Sequence, residues 1–183
     1  MSVPTQVVHV NPATYNADGQ TGWYPTATVD YLSADINVTS LRGTSPTLDF
    51  YVEREGADGV AYSIWHPTQL TAIGAPSTSI GPGMATTAMV GLRTRLRWVF
   101  GGTALATTVT TGANSATQTL GDTTGIVAGD VLHFATANVN RTVLSVTNGT
   151  VLVLTASVNS TTSEVVTVNN TPDAIFSASV EGR

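Results

Sequence analysis

Cysteine and lysine are both absent from the 183 residues of this chain. Without cysteine there can be no disulfide, no thiolate metal ligand and no cysteine nucleophile. Without lysine, all seven basic residues are arginine, a side chain suited to bidentate and stacked contacts. Charged residues make up 10% of the total, well below the usual quarter, and aromatics only 7%. No window approaches eighteen continuous apolar residues, so no membrane span is expected. The segment Met1-Ser2-Val3-Pro4-Thr5-Gln6 has no charged stretch leading into an apolar one, so a secretory signal is not expected. A net charge of −5 argues against nucleic-acid binding, which needs a dense basic footprint.

What is present is β-forming. Ser and Thr supply about a quarter of the residues, and Val is abundant. Residues 1–28 are rich in Pro, Asn, Thr and Gly and read as an extended arm with little regular structure. Its Trp23 and Tyr24 either cover the edge of the main domain or reach a neighbouring subunit. From Leu32 a two-residue alternation begins: Leu32, Ala34, Ile36 and Val38 against Ser33, Asp35, Asn37 and Thr39. A second alternating run holds Leu48, Phe50 and Val52, and the Gly/Pro loop between the two reads as a hairpin. A strand over 62–66 follows, and residues 73–86 read as loop.

The most informative stretch is Leu92 to Phe100. Leu92, Leu96, Trp98 and Phe100 share one parity, and Arg93, Arg95 and Arg97 share the other, at about 6.8 Å spacing along one strand face. The arginines are expected to pair within the chain, with Asp49, Glu53 or Glu181. The alternative is that they meet acids on a partner subunit. Together with Trp23 and Tyr24, Arg93, Arg95 and Arg97 form the candidate interface.

Phe176, Ala178 and Val180 alternate again near the end of the chain. Removal of residues 105–171 would join Gly102-Thr103 to Pro172-Asp173 as a hairpin turn, so that segment reads as an insertion. It carries strand patterns near 131–134, 141–146, 150–154 and 164–168, with an Asn148-Gly149 hairpin signal. The expected fold is all-β: an antiparallel, jelly-roll-like β-sandwich with a small β-barrel or sandwich inserted in its C-terminal hairpin. The domains are an arm over 1–28, a main sandwich over 29–104 plus 172–183, and an insertion over 105–171.

Chemistry-bearing constellations are few. His9, His66 and His133 are far apart and lack metal-ligand spacing, so each reads as structural and no metal or other cofactor is expected. Asp49, Glu53 and Glu55 share one strand face, with Asp35 and Asp30 on an expected neighbour. A glycosidase would need two such carboxyls with one pKa raised by an apolar wall. Arginine pairing accounts for them more simply, and no catalytic residue is assigned. Gly81-Pro82-Gly83 has no lysine after it and is not a phosphate loop. The Asn-X-Thr triplets at Asn37, Asn140 and Asn148 read as chance matches in a Thr-rich chain.

Ile36-Asn37-Val38-Thr39-Ser40, the loop Gly43 to Leu48, the strand Leu96 to Thr103 and the ending Phe176 to Gly182 together resemble a β-sandwich module of tailed-bacteriophage virion proteins. Ala128 to Leu132 and Arg141 to Val146 are similar to small β modules of phage capsid and tail proteins. The resemblance covers more than half of the chain. It implies a non-enzymatic virion structural protein on the outer surface of the particle. Foremost is a capsid decoration (cement) protein that binds the major capsid protein or other virion subunits as a homo-oligomer. The alternative is a tail, neck or fibre-associated protein, such as a glycan-binding adhesin.

Overall fold

The computed structural model describes residues 5–26, 31–80 and 93–182. These residues form antiparallel strands and no helix. The described chain divides into two compact units, one within Met1–Leu41, Pro46–Gly101 and Asp173–Arg183, the other Arg42–Ser45 with Gly102–Pro172.

The first unit contains two sheets. One has the order β1-β15-β4-β7, from β1 (Thr5–Tyr15), β15 (Asp173–Gly182), β4 (Leu32–Arg42) and β7 (Ser77–Ile80). The other has the order β2-β8-β5-β6, from β2 (Gly19–Gln20), β8 (Arg93–Thr103), β5 (Thr44–Glu55) and β6 (Ala61–Trp65). The short β3 (Tyr24–Pro25) also pairs with β8. Alternation decides which side chains turn inward. Leu32, Ala34, Ile36 and Val38 from β4 join Phe176, Ala178 and Val180 from β15 in one buried cluster. Leu48, Phe50, Val52, Leu96 and Trp98 complete it from the other sheet.

Four sequence expectations fail here. Within the expected arm over 1–28, the described residues 5–26 are not loose. β1 pairs with β15 from Thr5↔Gly182 to Tyr15↔Ala174, and Val8 and Val10 are buried. Asn11 and Pro12 break the alternation in sequence. In the structure they fall at a bulge between Val10 and Ala13 on an edge strand, where a missing N–H is tolerated. β2 and β3 are tied to β8 by Gly19↔Trp98 and Tyr24↔Thr94. Second, β4 and β5 are not a hairpin, since each belongs to a different sheet. Gly43 (φ 143°) and Ser45 (φ 49°) turn the chain between them, so two apolar faces bury against a common core instead of lying side by side. Third, β8 and β15 also lie in different sheets, so no terminal hairpin exists for the intervening residues to interrupt. Fourth, the supposed loop over 73–86 contains β7, which pairs with β4 through Leu32↔Ile80 and Asp35↔Ser77. Residues 81–86, Leu92 and Asp30 lie outside the described residues.

The second unit holds a closed six-stranded barrel, β10-β13-β12-β11-β14-β9. Its strands are β9 (Ala106–Thr111), β10 (Asn114–Leu120), β11 (Val131–Phe134), β12 (Val139–Val146), β13 (Val151–Asn159) and β14 (Val165–Val168). Val109, Leu120, Leu132, Phe134, Val143, Leu152, Leu154, Val166 and Val168 fill its interior. Closure leaves no sheet edge, which suits a unit this small. Asn148-Gly149 does join two paired strands, with Val146↔Leu152 closing the hairpin. The turn works by a side chain: Asn148 Oδ1 accepts the N–H groups of Thr150 and Val151, each at 2.9 Å.

Polar groups inside this unit are largely satisfied in clusters, with Asn170 Oδ1 buried and left without a partner among the described residues. Glu164 is 3% exposed and accepts N–H bonds from Thr136 (2.7 Å), Ala137 (2.7 Å) and Thr161 (2.9 Å). Asp130, 2% exposed, accepts from Val127 N, Asn170 Nδ2 and the Arg42 guanidinium. Buried Gln118 bonds Ser115 O and Ser160 Oγ. Burying such groups is costly unless every partner is met.

Candidate functional site

The outward parity of β8 and β5 builds a ladder of charges and rings in the first unit. On β8, Thr94, Leu96 and Trp98 are buried and Arg93, Arg95 and Arg97 face outward. On β5, Asp49, Tyr51, Glu53 and Glu55 occupy the matching parity. Glu53 is the centre. Its Oε2 accepts from Arg95 Nε and its Oε1 from Arg97 Nε, both at 2.7 Å, and the residue is 5% exposed. Arg93 grips Glu55 with Nε and Nη2, each at 2.5 Å, in a two-pronged pair.

Aromatic rings fix the guanidinium planes. Arg95 lies over Trp23 at 4.4 Å from the ring centroid, and Arg97 over Tyr51 at 3.9 Å. Tyr51 in turn stacks on His66 at 4.3 Å and 17°. His66 Nε2 meets Asp49 Oδ1 at 3.1 Å, and Gln69 Nε2 donates to Asp49 Oδ2 at 2.7 Å. Every rung is thus held by a neighbour, from Trp23 at one edge to Gln69 at the other.

The electrostatics follow the contacts. The Arg93 hydrogen bond holds the Glu55 carboxyl below its ordinary value, reinforced by the Arg93 charge. The same contact raises Arg93. The Glu53 bond raises Arg97 further above the usual arginine value, partly opposed by burial. Acid chemistry of the glycosidase kind needs a carboxyl pushed up. Glu55 is shifted the other way.

The structure brings Trp23, Arg93, Arg95 and Arg97 onto one face. Tyr24 registers with Thr94, the inward parity, and stays outside the ladder. Of the three expected carboxylate partners only Glu53 serves. Asp49 is engaged by His66 and Gln69, and Glu181 lies on β15 of the other sheet, opposite Gln6. Asp35, on β4, is likewise in the other sheet. Sequence reasoning grouped Glu55 with the carboxylates that arginine pairing explains, without naming Arg93 as its partner, and missed Tyr51 and His66 as supports. Their shared parity with Asp49 and Glu53 was the available signal for Tyr51 and Glu55.

His9 bonds Asn11 Oδ1 and His133 bonds Asn140 Oδ1, each at 2.9 Å. Among the described residues no group of three or more His, Asp or Glu gathers as a metal site, and no helix is long and apolar enough to cross a membrane.

No protein family, curated protein or solved structure matches the chain. The functional reading therefore stands on this face and on the residues of the chain.

Proposed function

We propose that this chain is a non-enzymatic structural subunit of a tailed-phage particle, a decoration protein that docks on the capsid and stabilises it. In this reading the first unit is a jelly-roll-like sandwich and the barrel a domain inserted between β8 and β15. The shared core of the two sheets supports that architecture. The observation that carries the functional reading is the preordering of the β8 face. Trp23, Arg95, Arg97 and Tyr51 are locked by stacking and by Glu53 before any partner arrives. Rigid aromatic and arginine groups lose little freedom on association and dominate the energetics of protein interfaces. The phage assignment rests on the resemblance of the strands that supply this core and face. Many copies on one shell would let individually weak contacts hold.

Particles assembled with and without this protein test the reading. The expected result is loss of heat and osmotic resistance in its absence, with label confined to the shell. Unchanged resistance and an unlabelled shell would overturn it.

A tail or fibre adhesin is the second reading, supported by a groove on the other sheet. That groove, about 340 Å³, is lined by His9, Asp35, Asn37, Ser177 and Ser179 beside Pro76. Hydroxyl, amide and carboxylate groups around a small apolar floor suit a sugar ring. Tail labelling together with glycan binding lost in Asp35→Ala would favour this reading over the first.

A further inference from the structure

We propose that the Nη edges of Arg95 and Arg97 form a receptor for one carboxylate of an acidic partner protein. The inference rests on the docking reading for the partner's identity, and on the ladder's geometry for its chemistry. Arg93 supplies the internal comparison: one guanidinium meets one carboxylate through two bonds. Arg95 and Arg97 share a single carboxylate, and each spends only its Nε on it. Among the described residues no second carboxylate lies within ion-pair distance of either.

On β8 three arginines therefore contact two carboxylates, Glu53 and Glu55, and it is Arg95 and Arg97 that must share one. Asp49, on the same face, contacts His66 and Gln69 and no arginine, so its charge acts on the ladder only through space. The unspent donors are local and aimed. One guanidinium face of each arginine is covered, by Trp23 and by Tyr51, and each Nε edge is used by Glu53. What remains are the Nη donors, with the Arg97 side chain 32% exposed and that of Arg95 16%. A guanidinium carries five N–H donors in a fixed fork that matches the two oxygens of a carboxylate. One further carboxylate would take up these donors.

Arginine side-chain NMR on the intact protein, titrated at low salt with a glutamate-rich decapeptide and separately with sodium sulfate, tests this directly. Saturable shifts are expected at Arg95 and Arg97 with Arg93 unmoved, and tenfold or greater weakening in Arg97→Gln. Arg97→Lys keeps the charge facing Glu53 and is expected to lose most of the binding through loss of the fork, which serves if the glutamine variant does not fold. No saturable shift, parallel movement of Arg93, or sulfate binding as tightly as the peptide would each overturn the proposal. Particle incorporation separates the two readings. If Arg97→Gln loads particles as fully as wild type, the receptor role falls and the docking reading stands. If wild type is absent from particles, the docking reading falls and the assignment of a protein partner falls with it.

Discussion

Phe50 of β5 and Phe176 of β15 meet edge to face with ring centroids 5.0 Å apart, and they belong to different sheets. Trp98 and Tyr15 pack on the same Phe176 ring, at 5.4 Å and 4.3 Å. One residue therefore collects aromatic contacts from three other strands. Phe176→Ala is expected to cost about 3–5 kcal/mol, from lost transfer free energy plus the cavity left behind. Denaturant unfolding followed by tryptophan fluorescence measures it. A loss below about 1 kcal/mol would mean that the site collapses around the deletion.

Gly19 sits directly against the indole of Trp98, and a Cβ there would overlap the ring. The same segment is stapled by Trp98 Nε1 donating to Ala17 O and Phe100 N donating to Asp18 Oδ1. Gly19→Ala should destabilise by about 1–3 kcal/mol through overpacking, and should shift the Trp98 emission. An unchanged melting curve would show that the 17–20 segment is free to move off β8.

Glu53→Gln removes the charge that two arginines share while keeping the shape. Leaving two guanidiniums facing a neutral amide in a poorly solvated site should cost about 1–3 kcal/mol. Arg93→Gln, whose partner pair is more exposed, should cost less. Thermal melts of the two variants side by side give the comparison, and the reverse order would displace Glu53 from the centre of the face.

Among the described residues three carboxyls have pKa values lowered by folding. Glu55 is lowered by Arg93, Asp58 by the Tyr62 hydroxyl and then Val60 N–H, and Asp122 by Thr124. A lowered folded pKa stabilises the protein at pH values above the unfolded-state pKa. That contribution is lost as pH falls through the folded pKa. Stability should therefore be flat near neutrality with respect to these groups and decline below the ordinary carboxylate range. Urea midpoints between pH 7 and pH 2 check the sign. In Arg93→Gln the Glu55 part of the acid slope should shrink.

Glu164 closes three backbone N–H groups inside the barrel. Glu164→Ala would leave them buried without partners and should cost at least about 1–3 kcal/mol. Hydrogen exchange at Thr136, Ala137 and Thr161 should rise selectively. Retained protection at all three would show that other acceptors take over.

Sequence by itself determined the strand character of most of the chain, because a period of two is a local property of side-chain order. Leu32 to Val38, Leu48 to Val52, Arg93 to Phe100 and Phe176 to Val180 each declare a buried and an outward face this way. It missed β9 and β10, where the inward positions include Gln118 and the flanks are Thr-rich. A satisfied buried amide looks like a surface residue until Ser160 is seen beside it. It missed β1 for the related reason that Asn11 and Pro12 interrupt the parity at a bulge. Apart from the Asn148-Gly149 hairpin, which strands pair was beyond any local pattern. The turn at Gly43–Ser45 and the long path from β8 to β15 can be read as hairpins or as crossings between sheets. Only the shared core around Phe176 chooses between them. The arginine face followed the same division. Parity placed Arg93, Arg95 and Arg97 together on one side of a strand. Only tertiary structure decided that Glu55 satisfies the first while Glu53 must serve the other two, because strand register across the sheet sets which charges come within reach.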